Sequence, residues 1–277
     1  MNKTLGVSVI TFSILAIVFA FTDLSIMKAI ADPNSAWAHQ MQAYGQLPGM
    51  LVGFLGNSVV LRLARLEKSF KSIASAILLF ILTLLSGLGF WADAMGIQIG
   101  AKVNFPLVLA LGIVSLMIVQ VWLRRIPDET MQAYKSIGQI TLLLSFLAVI
   151  TVWGIKIPWG RWTFRDMLEV DDLSLFTPWY LPQGNNGHHS FISGHTAFAF
   201  FVLPIVLLLR KNKKHYTIAW VLVMLWGTVA AFSRIAIGAH FPSDVLFGAG
   251  ETMLWFWILT KRLLEDKALP NGASRPL

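Results

Sequence analysis

Apolar runs of helix length recur along the chain, separated by short polar or charged stretches. Eight of them run approximately from Leu5 to Phe21, Pro48 to Leu61, Ser72 to Trp91, Leu107 to Leu123, Ile137 to Ile155, Gly194 to Leu209, Thr217 to Ile237 and Val245 to Thr260. A bilayer core is crossed by about 20 predominantly apolar residues in a helix. The pattern therefore predicts an all-α, polytopic transmembrane helical bundle of about eight spans, forming one integral membrane domain over 1–277. The second run is short and interrupted by Gly53, Gly56 and Asn57. The tail from Ala268 to Leu277, with two Pro and a Gly, is expected to be flexible.

Composition agrees with the pattern. Of 277 residues, 56% are hydrophobic and 13% charged, and the mean hydropathy is +0.67. Soluble domains carry roughly 25% charged residues, so a water-soluble fold is excluded. The absence of Cys excludes disulfides and Cys-based metal sites.

The formal charge of +8 is unevenly placed. When loops are assigned alternately to two sides, sixteen of the 22 basic residues fall on the side of the N-terminus. These are Lys3; Arg62, Arg65, Lys68 and Lys71; Arg124, Arg125 and Lys135; Arg210, Lys211, Lys213 and Lys214; and Lys261, Arg262, Lys267 and Arg275. The opposite side holds Lys28, Lys102, Lys156, Arg161, Arg165 and Arg234. Lys and Arg accumulate on the cytoplasmic side, which predicts cytoplasmic termini and extracytoplasmic segments at 156–193 and 233–244. The basicity thus records orientation in a cell membrane and gives no reason to expect a nucleic-acid partner; it leaves the oligomeric state open. The first span is read as an uncleaved helix, although Val18 and Ala20 also fit a signal-peptide cleavage pattern. Trp153, Trp159, Trp162, Trp179 and Tyr180 read as an interfacial aromatic belt.

Groups that are costly near a membrane are candidates for function, and three outward segments concentrate them. Lys156-Ile-Pro-Trp-Gly-Arg161-Trp-Thr-Phe-Arg165 carries three cations; Ser190-Phe-Ile-Ser193-Gly194-His195-Thr196 opens the sixth run; Ser233-Arg234 through His240 to Asp244 joins the last two runs. Several cations, two His and a carboxylate suit a tetrahedral oxyanion, which needs many charge-assisted donors. Each residue also has a plainer reading. Ser193 can cap a helix, Asp244 can sit in a helix first turn after Pro242, and the cations can snorkel to headgroups. Ser193 as a cap would also turn the Gly194 and His195 amides outward, toward an anion.

These residues resemble the type-2 phosphatidic acid phosphatase superfamily, in its membrane-bound lipid phosphatase branch. The signature is K-x-x-x-x-x-x-R-P, P-S-G-H and S-R-x-x-x-x-x-H-x-x-x-D. The third element is complete as Ser233, Arg234, His240 and Asp244, and the second is present as Ser193, Gly194 and His195 with Ile192 in place of Pro. In the first, Lys156 is present but Thr163-Phe164 stands where Arg-Pro is usual, with Arg161 and Arg165 flanking the gap. The resemblance covers residues 155–250. It implies a six-helix phosphatase core, His240 as nucleophile, Asp244 as the group holding it, and His195 as general acid and base. Lys156, Arg161, Arg165, Ser193, Gly194 and Arg234 would bind the phosphoryl oxygens, without metal or cofactor.

The implied activity is hydrolysis of a terminal phosphate monoester or diphosphate of a lipid at the outer face, through a phosphohistidine. Polyisoprenyl diphosphate, phosphatidylglycerophosphate and phosphatidic acid remain open as substrates, as does phosphotransfer instead of hydrolysis. A soluble haloperoxidase is at odds with the apolar chain. An intramembrane serine protease using Ser193 leaves Arg234, Asp244 and the basic loop unexplained, and a non-catalytic lipid transporter has no need of His195, His240 and Asp244 together. His188 and His189 read as flanking loop residues. Glu251, seven residues beyond Asp244, either braces the site through a cation or lies neutral in a helix interface.

Overall fold

The computed structural model describes residues 3–64, 69–95 and 104–265. Arg65, Lys68, Lys102, Lys267 and Arg275, and the tail expected to be flexible at 268–277, lie outside the described residues. In chain order the helices are α1 (Lys3–Ile30), α2 (Ala36–Tyr44), α3 (Leu47–Arg62), α4 (Phe70–Ala94), α5 (Phe105–Leu123), α6 (Asp128–Trp159), α7 (Phe164–Glu169), α8 (Gly194–Ala199), α9 (Ile205–Leu208), α10 (Lys213–Ala236) and α11 (Pro242–Thr260). No strand occurs among the described residues, and the all-α, multi-pass membrane class holds.

Among the described residues, five helical stretches are long and apolar enough to cross a bilayer: Gly6–Ile30, Phe70–Ala94, Phe105–Leu123, Asp128–Glu169 and Lys213–Ala236. The other three expected spans are helical but do not meet that standard. The run from Pro48 to Leu61 lies in α3, which has 16 residues. The run from Gly194 to Leu209 is broken: α8 gives way to a 3₁₀ turn at Phe200–Val202, and Pro204, which has no N–H to donate, precedes the single turn of α9. The last, in α11, carries Asp244 and Glu251.

The chain divides into two compact units. One comprises Leu47–Leu147, Phe201–Val221 and Leu254–Leu277. Helix association in a bilayer relies on close packing and interhelical hydrogen bonds, and here the residues that interrupt α3 supply both. Any side chain added at Gly56 would strike Thr141 of α6. The Asn57 amide donates to Ser86 Oγ at 3.0 Å, and Gln120 Nε2 donates to Ser58 O at 3.0 Å. Arg62, ending α3, pairs with Asp128, opening α6, at 2.6 Å. The end of α3 and the start of α6 therefore lie together at one end of this unit.

The other unit comprises Met1–Gln46, Ala148–Phe200 and Leu222–Met253. α1 is integral to it: Phe12 meets Phe247 at 5.1 Å between ring centroids, and Trp179 Nε1 donates to Ala16 O at 2.9 Å. Trp159 and Trp179, expected in a belt, instead pack on a buried cluster of Val152, Phe191, Ile192 and Ala197. Trp159 Nε1 donates to Trp179 O at 2.6 Å. Indoles turned largely away from water need a partner for their N–H, and both of these partly buried rings find a backbone carbonyl. A second cluster gathers Met27 of α1, Phe164 and Met167 of α7, Ile235 of α10, Phe241, and Val245 of α11. α2 closes over the loop after α10, where Ala38 packs on Ala236, Ile237 and Ala239.

α6 ends at Gly160, which takes φ +58°. Such left-handed residues terminate helices and are usually Gly because a Cβ is disfavoured there. A Cβ at Gly160 would also collide with Gly184 O and Asn186, whose amide donates to Gly160 O at 2.7 Å. Gly160→Ala is expected to destabilise the protein by about 1–3 kcal/mol, read as a lower thermal unfolding midpoint in detergent. An unchanged midpoint would show that the loop yields freely.

Candidate active site

All the residues singled out in the three signature segments lie in the same unit, and backbone hydrogen bonds tie the segments together. Ser190 N donates to Arg161 O, Ser193 N to Asp244 O, and Arg165 N to Gly238 O, each at 2.9 Å. The first segment thus holds the second and third, and the second is held again by the third.

The third segment folds back on itself. Ala239 N and His240 N both donate to Arg234 O, at 3.0 and 3.1 Å. Gly238 has φ +73°, and a Cβ there would press on the backbone and Cβ of Arg165. Glycine is needed at this turn both for its conformation and for the approach of Arg165. His240 is carried at the tip, 6% exposed, with Nδ1 3.5 Å from Asp244 Oδ2. Burial is the main reason that His240 is held well below the usual imidazole range, at about 3; Asp244 opposes the shift, while Lys156 and Arg234 add to it. The ring is neutral at physiological pH, with a nitrogen lone pair available.

Asp244 is fully buried and accepts on both oxygens. Oδ1 receives Arg161 Nη1 at 2.6 Å. Oδ2 receives Ser190 Oγ at 2.5 Å and Phe241 N at 2.9 Å, beside His240. A carboxylate so held keeps one orientation and can fix the imidazole tautomer.

The four cations differ in their surroundings. Arg161 is 1% exposed: Nε donates to Thr177 O at 2.8 Å, Nη1 to Ser243 Oγ at 2.8 Å and to Asp244, and Nη2 to Asp23 at 2.9 Å. Its plane covers the Phe241 ring at 4.1 Å. Four of its five N–H groups are thereby committed to the protein. Arg234 is also buried, 4% exposed, yet its Nε and Nη1 find no hydrogen-bond partner. Arg165 has a side chain 38% exposed, 3.8 Å from Asp166, and lies within electrostatic reach of Arg234 and His195. Lys156, one turn before the end of α6, donates to His189 O and, at 3.4 Å, to Ser190 O.

Ser193 caps α8 as expected, its Oγ accepting from Thr196 N at 3.4 Å and from Thr196 Oγ1 at 2.9 Å. Gly194 and His195 open that helix, and His195 feels the charges of Arg234, Lys156 and Arg165 and interacts with His240. Where the signature has Arg-Pro, Thr163 caps α7 by accepting from Asp166 N at 3.1 Å, and Phe164 is buried in the second apolar cluster. His188 stacks on Trp162 with centroids 3.4 Å apart. Glu251 accepts from Thr252 Oγ1 at 3.1 Å.

Asp23, Ser190 and Ser243 are structural members of the site to which the sequence pattern gave no role. An ionisable residue two positions beyond the first apolar run, within reach of the same membrane helix, was the available signal for Asp23. The two serines lay inside the segments but outside the signature.

Residues 140–266 match the family model of the PAP2 superfamily. Among curated proteins, the chain is 28% identical over 124 residues to an undecaprenyl-diphosphatase of Sulfolobus acidocaldarius, covering 45% of this chain and 52% of that one. It is 33% identical over 95 residues to a lipid A 1-phosphatase of Rhizobium johnstonii, covering 32% of this chain and 36% of that one. It is 28% identical over 166 residues to a phosphatidylglycerophosphatase B of Bacillus subtilis, covering 52% and 77% respectively. The chain thus spans about half the length or less of the first two of these relatives. No solved structure matches it.

Two outcomes are expected from this geometry. Removing Arg161 from between two buried carboxylates, as in Arg161→Met, should cost about 3–5 kcal/mol, and a wild-type unfolding midpoint would refute the buried network. For His240, the unfolded chain takes up a proton near pH 6.5 that the folded site refuses until about pH 3. Stability should therefore fall as pH drops through that window. Replacing the imidazole in His240→Gln should flatten the fall of the unfolding midpoint; an unaltered slope would assign the proton to another group.

Proposed function

Starting from the PAP2 superfamily segment at residues 140–266, we propose that this chain is an integral membrane lipid phosphatase. It hydrolyses a terminal phosphate monoester or diphosphate at the extracytoplasmic face, with both termini in the cytoplasm. The observation that carries the reading is Arg234, whose buried guanidinium has two N–H-bearing nitrogens without a partner. Buried donors are almost always satisfied, and a phosphoryl oxygen is the natural complement of a guanidinium.

In the reaction, His240 Nε2 attacks phosphorus in line with the leaving oxygen. A P–N bond forms as the P–O bond breaks, splitting hydrolysis into two easier displacements. Asp244 holds Nδ1–H and stabilises the positive charge that develops on the ring. His195 gives its proton to the leaving oxygen, then takes one from the water that cleaves the P–N bond and releases phosphate. Lys156, Arg165, Arg234, the Ser193 hydroxyl and the Gly194 amide surround the phosphoryl oxygens and stabilise charge in the transition state. Arg165 takes the part of the signature guanidinium, since Arg161 already has partners on every nitrogen. Arg161 serves the phosphate indirectly, by fixing Asp244.

The relatives named as phosphatases of undecaprenyl diphosphate, lipid A and phosphatidylglycerophosphate support a lipid substrate for this chain. In that arrangement the lipid tail stays among the helices and the phosphate meets the cations.

The test is phosphate release from a panel of polyprenyl diphosphate, phosphatidylglycerophosphate and phosphatidic acid by purified protein. His240→Ala should lose at least about 1000-fold in kcat, and quenching wild type in alkaline denaturant, where a P–N bond survives, should trap phosphate on His240. Vanadate should compete with substrate, and EDTA should leave turnover intact. Full turnover by His240→Ala would eliminate the nucleophile assignment, and loss with EDTA would eliminate the metal-free mechanism.

A further inference from the structure

We propose that Asp23, on α1, is a positioning residue for this reaction, acting on His240 through Arg161, Ser243 and Asp244. The proposal rests on the phosphatase reading above. Asp23 lies 1% exposed within the Gly6–Ile30 membrane span, where a carboxylate is costly without partners. Its partners all lead to Asp244. Oδ2 accepts from Arg161 Nη2 at 2.9 Å and from the Ser243 hydroxyl. Oδ1 accepts from Ser243 N at 3.0 Å.

The two carboxylates share one guanidinium. Arg161 gives Nη2 to Asp23 and Nη1 to Asp244, with Ser243 Oγ lodged between them. Two consequences follow for the nucleophile. The Ser243 amide belongs to the first turn of α11, where backbone N–H groups have no intrahelical acceptor. Asp23 supplies that acceptor from another helix, fixing the residue immediately before Asp244. The negative charge of Asp23 also divides the pull of Arg161. Without it the whole guanidinium charge would fall on Asp244, drawing the carboxylate away from His240 Nδ1, 3.5 Å from its other oxygen.

Stability alone gives little reason for this arrangement. Replacing buried ion pairs with well-packed apolar residues is often neutral or stabilising, and Asp23 sits beside Met27 and Leu24, which already pack in an apolar cluster. What an apolar residue cannot provide is a fixed charge and two acceptors at the rear of the catalytic carboxylate.

The experiment uses the purified full chain carrying Asp23→Asn, with Ser243→Ala as the milder break should Asp23→Asn fail to accumulate. Three quantities are read: kcat and KM on the phosphorylated lipid that wild type turns over best, the number of vanadate sites per chain, and the ¹⁵N signals of the His240 ring. The proposal expects kcat to fall about 10- to 100-fold, with KM and vanadate stoichiometry near wild type. It also expects the Nδ1-protonated form of His240 to give way to a mixture of tautomers. A fall in vanadate sites with unchanged kcat per site would make Asp23 merely structural and overturn the proposal. So would wild-type kcat with an unchanged ring signal. If wild type releases no phosphate from any lipid while the ring still responds to Asp23→Asn, the phosphatase reading fails and the coupling from Asp23 to His240 stands.

Discussion

The site depends on keeping one carboxylate ionised and immobile away from water. Asp244 has no solvent to fill its lone pairs, so protein donors must converge on it, and they come from far apart in the chain. Arg161 arrives from the turn after α6, Ser190 from the loop before α8, and Phe241 N from the turn before α11. Each hydrogen bond of this kind is short and charge-assisted, stronger than its neutral counterpart. The backbone then follows: Ser190 N and Ser193 N are drawn onto Arg161 O and Asp244 O, and the segments carrying His195 and His240 are delivered to the same place. Satisfying the buried acid and bringing the candidate catalytic groups together are one structural event.

The same accounting separates two buried arginines that look alike in sequence. Arg161 has its donors occupied by two carboxylates, a hydroxyl and a carbonyl, so its charge is already compensated. Arg234 is equally buried but has unpaired nitrogens, so it retains the capacity to bind an anion. A buried charge without compensation is costly, while the Arg234 backbone is held in place. Its carbonyl accepts two amides of the following turn. Compensation, more than position in a motif, distinguishes a scaffold cation from a binding cation.

Much of this was legible in the sequence, and the limits have physical causes. The spacing from Ser233 to Asp244 and the triplet Ser193-Gly194-His195 identify local structures whose geometry is set within a few residues. Helix-length apolar runs likewise follow from the needs of a bilayer. The partners of Arg161 could not be read that way, because Asp23 lies 138 residues away and only tertiary folding brings the two together. Tryptophans at the ends of apolar runs are ambiguous for a related reason. An indole at a helix end suits an interface, but Trp159 and Trp179 also fit a buried cluster once backbone carbonyls are at hand for their N–H groups. The break within 194–209 had a visible cause in Pro204, masked by the uninterrupted apolarity around it.

The departure at Thr163-Phe164 follows from helix geometry. Thr163 is the N-cap of α7, so Phe164 and Arg165 are the first two helical residues. Successive helix residues are turned by about 100°, so the two side chains cannot share a direction. Phe164 points, with Met167 three residues on, into the cluster formed by Met27, Phe241 and Val245. Arg165 is thereby turned out of that cluster, and its amide is held on Gly238 O in the loop that carries His240. Burying Phe164 therefore aims Arg165. On the proposed reading, a guanidinium missing from its usual place in the pattern is supplied two positions later, by a helix whose cap and first apolar residue occupy the two positions left vacant.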